Sequence, residues 1–303
     1  MNWTSRNIAA WLLSSWYLLS GKHRSMIRRC EAGEFIVSVY FHNPSRAQFE
    51  GCVRWFIKHQ FRFISVNELI EIVEKKLPIP KKAVLLTADD CWKENAANIV
   101  EVARLLQVPV SIFANLEPIE HHDAHWWSYI DKAYKMGIIS TSVHSLKKVS
   151  NEERLKHLDI AKKHIPPFQQ AMTKEEIQQF DATSPAQFGS HTITHPILPQ
   201  CTDEVSRFEI EESKRKLERW LSRPVETFAY PNGSYTSREI DILKSTGYRI
   251  AFTTKPEYIR PHHLESPFEL PRFDVLEHVS MAENICRMTG IWFARKKSTE
   301  WDS

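Results

Sequence analysis

The chain has no C-x-x-C pair, no apolar run of twenty residues, no repeat or low-complexity tract and almost no net charge. Its five cysteines (Cys30, Cys52, Cys91, Cys201 and Cys286) are odd in number and widely spaced. That argues against a disulfide framework or a zinc knuckle, and for free thiols in a reducing compartment such as the cytoplasm. A formal net charge of +3 over 303 residues gives no reason to expect a nucleic-acid partner. The apolar run Ile8–Leu19 is shorter than the roughly 20 residues a membrane-spanning helix needs. Only Arg6 precedes it and no small-residue cleavage site follows, so no cleavable signal peptide is indicated. Its basic residues, Lys22, Arg24, Arg28 and Arg29, come after it. Two readings of residues 1–33 stay open: a helix packed on the domain, or an interfacial helix with a basic flank on an anionic membrane.

The chain as a whole, with 42% apolar and 25% charged residues, has the composition of an ordinary soluble protein, and residues 34–303 read as one domain. Phe35–Phe41 reads as a buried strand ending at His42, and Phe61–Ile64, Ala83–Thr87 and Val108–Phe113 as further strands. Helices are expected over Phe49–His59, Asn67–Lys75 (opened by the Ser65/Glu68 capping box) and Lys93–Leu106. This alternation implies an α/β fold, a parallel sheet with helices outside and a site at the carboxyl ends of the strands. From Glu117 to Pro185 the rhythm breaks into an elaborated connection holding Trp126-Trp127, a helix Ser128–Lys135 and capping boxes at Ser150 and Thr173. It resumes with strands at Gln187–Ser190, Val225–Tyr230, Arg249–Thr253 and Leu270–Val275 and a long helix Glu204–Leu221, and Thr299–Ser303 reads as a frayed tail.

Two strings carry chemistry. Thr87-Ala88-Asp89-Asp90 follows the apolar run Ala83–Leu86, where a parallel strand delivers its last residues to the catalytic face. Adjacent residues there point in different directions, so one carboxylate can bind metal while its neighbour stays free as a base. His191 and His195, after Gln187–Ser190, stand at i and i+4, a spacing that one helical turn would bring to the same side. One aspartate with two histidines and an open fourth position suits catalytic zinc, with cobalt or nickel as alternatives.

With these motifs in place the chain resembles the polysaccharide deacetylases of the NodB-homology class, carbohydrate esterase family 4, from about Phe35 to Val275. The family's T-F-D-D-G, H-[ST]-x-x-H and F-A-Y-P-x-G-x-Y signatures have counterparts in Thr87–Cys91, His191–His195 and Phe228–Tyr235. The resemblance implies a distorted (β/α) barrel of seven or eight mostly parallel strands, and removal of acetyl groups from an N-acetylated glycan. Carried over by position, Asp90, His191 and His195 would hold the divalent metal, Asp89 would be the general base and Thr192 would brace the histidine loop. Asn232 marks the position whose backbone N–H would hold the oxyanion, and Tyr230 and Arg272 join it on the substrate side.

Four departures from the family pattern stand out. Ala88 replaces a Phe, and Cys91 replaces a Gly. Ala229 stands where the family's R-x-P-Y has the Arg that usually orients the base, a role Arg272 in Leu270–Val275 could take from another side. The late L-x-H has a formal match at Leu276-Glu277-His278 that looks fortuitous, which leaves His42 as the better general acid. Trp126 and Trp127 read either as a sugar-stacking platform or as core of the connection. Two other functions stay open: hydrolysis of an O-acetyl or non-sugar amide substrate, and glycan binding by a catalytically degenerate homologue.

Overall fold

The computed structural model describes residues 5–293, so the tail read at Thr299–Ser303 lies outside the described residues. Eight strands form one sheet: β1 (Val37–Phe41), β2 (Arg62–Ile64), β3 (Ala83–Asp89), β4 (Val110–Ala114), β5 (Ala186–Ser190), β6 (Thr227–Ala229), β7 (Ile250–Phe252) and β8 (Phe273–Asp274). The order is β7-β6-β5-β4-β3-β1-β8, with β2 paired to the first half of β3 and β4 to its last three residues. Every strand pair is parallel. The sheet curls, and one short segment ties its two edges: Leu270 bridges to Phe252 on β7, and Phe273 pairs with Val39 on β1.

Strand periodicity sorts the side chains between two clusters. Val84, Leu86 and Ala88 pack outward with Val37, Val39, Phe41, Val110 and Ile112 against the helices, while Ala83 and Leu85 pack inward with Phe113, Ile250, Phe252 and Leu270. Burying each such aliphatic or aromatic side chain contributes about 1.5–3 kcal/mol. The inward set continues through Thr87 to Asp89 and, on β1, through Ser38 and Tyr40 towards His42. Ala88 therefore stands on the helix side of the sheet, away from the catalytic pocket, where the family's Phe would sit.

Three segments differ from the sequence reading. Residues 5–31 form two helices, Ser5–Leu19 and Lys22–Glu31, because Gly21 turns the chain at φ 73°. The helix read over Lys93–Leu106 starts instead as a π-helical turn, Ala96–Val100, and is α only over Glu101–Leu106. The reason is Asn95, fully buried, whose side chain accepts the Trp92 N–H and donates to the His42 carbonyl at 2.9 Å, tying this turn to the end of β1. The connection over 117–185 carries helices Trp126–Lys135, Val143–Leu146, Asn151–His164 and Lys174–Thr183, with a small core of its own around Trp126, Tyr129, Ile130 and Leu158. All five cysteines are buried and unbonded to one another, and no helix among the described residues is long and apolar enough to cross a membrane.

Candidate metal and catalytic site

Strand alternation aims Asp89 into the barrel interior, where it meets Arg272 on the segment that closes the sheet. Arg272 Nη1 and Nη2 each donate to a different Asp89 oxygen at 2.8 Å, Nη1 also reaches Thr87 Oγ1, and Nε donates to the Thr253 carbonyl. The guanidinium lies over the Tyr40 ring at 4.5 Å, with Phe113 and Phe252 beyond. Both partners are buried, Arg272 completely. Burial would raise the Asp89 carboxyl, but Arg272, His191 and His42 outweigh it and hold it below the ordinary carboxylate range. Arg272 is thus positioned on the base; as a substrate-side residue it is corrected, because its side chain has no exposed surface.

Beyond Asp89 the strand ends in two left-handed residues, Asp90 (φ 73°) and Cys91 (φ 55°), which swing the second carboxylate away from the first. Such a conformation costs a non-glycine residue on the order of 1 kcal/mol or more, and it accounts for the family's Gly at position 91. Here the Cys91 carbonyl accepts the Met172 N–H, and Sγ lies buried 3.4 Å from Met172 Sδ. Burial pushes the Cys91 thiol well up, so it stays a neutral packing group.

The two histidines do meet, but not on a helical turn. Residues 191–195 form a loop in which Thr192 (φ 70°) and His195 (φ 54°) are left-handed, and Thr192 Oγ1 accepts the His195 N–H at 3.0 Å. Asp90 Oδ1 lies 3.6 Å from His191 Nε2 and 3.4 Å from His195 Nε2. Tetrahedral bonds of about 2.0–2.1 Å would separate ligand atoms by roughly 3.3–3.4 Å, so the spacing fits a single transition-metal ion. Asp90 Oδ1 is buried without a hydrogen-bond partner, while Oδ2 accepts from Trp92 Nε1. His191 Nδ1 lies 2.6 Å from the Ala229 carbonyl. A carbonyl only accepts, so Nδ1 carries a proton, which leaves Nε2 as the ring atom facing the shared point. Burial, then His191, His125 and Lys147, hold His195 well below its ordinary value and hence neutral. No other group of three His, Cys, Asp or Glu side chains among the described residues could hold an ion.

These groups open into a cavity of ≈ 580 Å³. His42, Asn232 and His278 line it with Asp89, Asp90, His191 and His195, so the late L-x-H does reach the site. Tyr230 does not: it is fully buried, stacked on Tyr235 at 4.6 Å, and its placement on the substrate side is corrected. The turn after it explains why. Asn232 takes φ 58° and Gly233 φ 67°, and a Cβ at 233 would meet Thr254 Oγ1 at 2.1 Å, so the chain turns Asn232 to the cavity and leaves Tyr230 behind. Of the tryptophan pair, Trp127 lines the cavity, 4.6 Å from the His195 ring, while Trp126 belongs to the core of the connection.

The family model described as polysaccharide deacetylase matches residues 76–251, more than half of the chain and the span that carries both motifs. The chain belongs to the polysaccharide deacetylase family. Members of this family generally use a divalent metal, and the Asp90–His191–His195 cluster is where these residues could hold one. A poly-β-1,6-N-acetyl-D-glucosamine N-deacetylase of Staphylococcus aureus is 19% identical over 252 residues, 78% of this chain and 71% of that protein. Among solved structures, IcaB from Ammonifex degensii superimposes with a TM-score of 0.61 at 17% identity, covering 85% of this chain and 97% of that one. The Streptococcus pyogenes deacetylase PplD, in complex with acetate, gives 0.60 at 16% identity, covering 84% and 96%. At these identities the structural likeness shows the fold.

Around this site stand residues that the sequence reading missed. Glu209, on the helix Asp203–Leu221, accepts from the Ile193 and Thr194 N–H groups and from Thr194 Oγ1 at 2.6–3.0 Å, pinning the histidine loop from beneath. A signal was there: Glu209 sits on the stripe Ser206, Ile210, Ser213, Leu217, where a charge needs a reason. Trp126 Nε1 donates to the His195 carbonyl at 3.0 Å, and Lys147 Nζ to Asn232 Oδ1 at 2.9 Å, both from the elaborated connection. Burial lowers the Lys147 ammonium, with Asp90 opposing. Because outer residues of this kind set ligand geometry, Glu209→Ala should weaken metal affinity by about 10–100-fold. Titration against a competing chelator checks this, and wild-type affinity in the variant would remove Glu209 from the account.

Proposed function

We propose that this protein is a metal-dependent hydrolase that removes acetyl groups from the N-acetylated sugars of a polysaccharide. The observation that carries the reading is the convergence of Asp90, His191 and His195 on one point, beside an Asp89 clamped by Arg272, in a single cavity. Zinc suits the donor set best, with cobalt or nickel as substitutes. When bound, the metal would polarise the acetyl carbonyl and lower the pKa of a water molecule towards neutrality. Asp89, fixed by two hydrogen bonds and kept ionised, takes the proton from the attacking water. The backbone N–H at Asn232 is the donor proposed for the developing oxyanion. His42, whose carbonyl Asn95 anchors, delivers a proton to the departing nitrogen; His278 is the second histidine on the cavity wall. Trp127 offers a partly exposed ring on which a sugar face can stack.

The Staphylococcus aureus relative's name makes poly-β-1,6-N-acetylglucosamine the first substrate to try. Acetate release should be measured from that polymer, from chitooligosaccharide and from an O-acetylated glycan, with and without chelator. N-acetyl substrates should release acetate in a chelator-sensitive, zinc-restored manner. Release from the O-acetyl glycan alone would change the substrate class. No acetate and no bound metal would leave a glycan-binding homologue.

A further inference from the structure

We propose that the two N-terminal helices dock this protein on an anionic phospholipid membrane. The helix Ser5–Leu19 turns Ala10, Leu13 and Tyr17 towards the main core, yet its other side is apolar as well. Ile8, Trp11, Leu12, Trp16 and Leu19 are exposed, Leu19 to 87%, and helical geometry places all five within an arc of about 140°. They make up five of the thirteen exposed large apolar side chains among the described residues, gathered on one helix face. Trp11 and Trp16, the two exposed tryptophans among the described residues, lie there, and this residue type favours the boundary between headgroups and hydrocarbon.

The second observation is charge. The helix Lys22–Glu31 borders a cavity of ≈ 620 Å³ lined by His23, Arg24, Arg28, Lys58, His59 and Lys82, with no carboxylate in its lining. Lys82 is paired with Glu31, but Arg24, Arg28 and Lys58 form no ion pair among the described residues. His23 Nδ1 is buried there without a hydrogen-bond partner. A further cation sits against the apolar face itself: Lys22 Nζ lies 4.3 Å from the Trp16 ring centroid. An apolar stripe flanked by uncompensated cations matches the layering of an anionic bilayer surface: hydrocarbon beneath, phosphates above. A second copy of the chain fits less well, because a two-fold contact through this face would bring the same cations together.

The fold also fixes which way the docked protein faces. Gln60 and Lys82 precede β2 and β3, so the basic cavity lies at the amino ends of the strands. His42, Asp89 and His191 lie at or beyond their carboxyl ends. Docking through the basic cavity therefore turns the catalytic mouth away from the bilayer, towards polymer extending into the water.

Co-sedimentation of the purified 303-residue chain with vesicles tests the proposal. The protein should pellet with equimolar phosphatidylcholine and phosphatidylglycerol, remain in solution with phosphatidylcholine alone, and be partly released by salt. Arg24→Glu with Arg28→Glu, and separately Trp11→Ser with Leu12→Ser and Trp16→Ser, should each weaken binding at least about tenfold. Because all these side chains face solvent, the variants should keep the wild-type unfolding temperature. Failure of the wild type to pellet, or unaltered pelleting of the charge-reversed variant, overturns the proposal. So does a dimer in light scattering that the serine variant dissolves, which would give this face to a second copy.

Discussion

On the proposed function, Asp90→Ala should abolish transition-metal binding and lower acetate release by on the order of a thousandfold or more. An open-sited metal contributes several kcal/mol to charge development in the transition state, and each ~1.4 kcal/mol is a factor of ten. The fold should hardly notice. Asp90 Oδ1 has no hydrogen-bond partner, and Oδ2 loses only the Trp92 indole N–H, so the cost is about 1 kcal/mol less whatever is gained by removing an unsatisfied buried oxygen. Metal analysis after purification, acetate kinetics and thermal unfolding together separate the two effects. A variant that keeps stoichiometric metal and normal turnover would dissolve the three-ligand site.

Arg272→Lys should lower kcat by about 100-fold with little change in KM. The arginine holds Asp89 with two parallel hydrogen bonds while its remaining donors reach Thr87 and Thr253; an ammonium keeps the charge but cannot form the fork. A general base is worth roughly 10²–10⁴ in rate, so a misaligned one forfeits part of that. Arg272 has no exposed surface to offer a substrate, which is why KM is the insensitive parameter. Arg272→Ala is a different experiment: it leaves the Asp89 carboxylate buried and unpaired, at a cost of about 3–5 kcal/mol, and should lower the unfolding temperature sharply. Full activity in the lysine variant would mean that Asp89 needs no positioning from this side.

The strand positions were legible because each is a short β-branched or aromatic run ended by turn residues; the ends of β1, β3, β4 and β5 fall within two residues of the sequence reading. The parallel sheet followed from the alternation with helices. The second N-terminal helix, Lys22–Glu31, was hidden by its polarity: only Met26 and Cys30 are buried, so no apolar stripe announces it. Trp126 and Trp127 were equivalent on paper, yet a helix beginning at Trp126 sends one ring into the core of the connection and the other to the cavity. The spacing of His191 and His195 suggested a helical turn, whereas two left-handed residues and a carboxylate from a distant helix make the loop.

The sequence by itself determined the chemistry on offer: two adjacent carboxylates at a strand end and two imidazoles four residues apart after another strand, in an order that carries the family's motifs. It could do so because strand period and local turns are properties of neighbouring residues. Tertiary structure alone decided which groups act together. Arg272 meets Asp89 across 183 residues of chain because one closing segment joins both edges of the curled sheet, and Glu209 reaches the histidine loop because a helix packs beneath it. Such pairings depend on how the sheet curls and where helices settle, and those are set by the packing of the entire core, which no local pattern records.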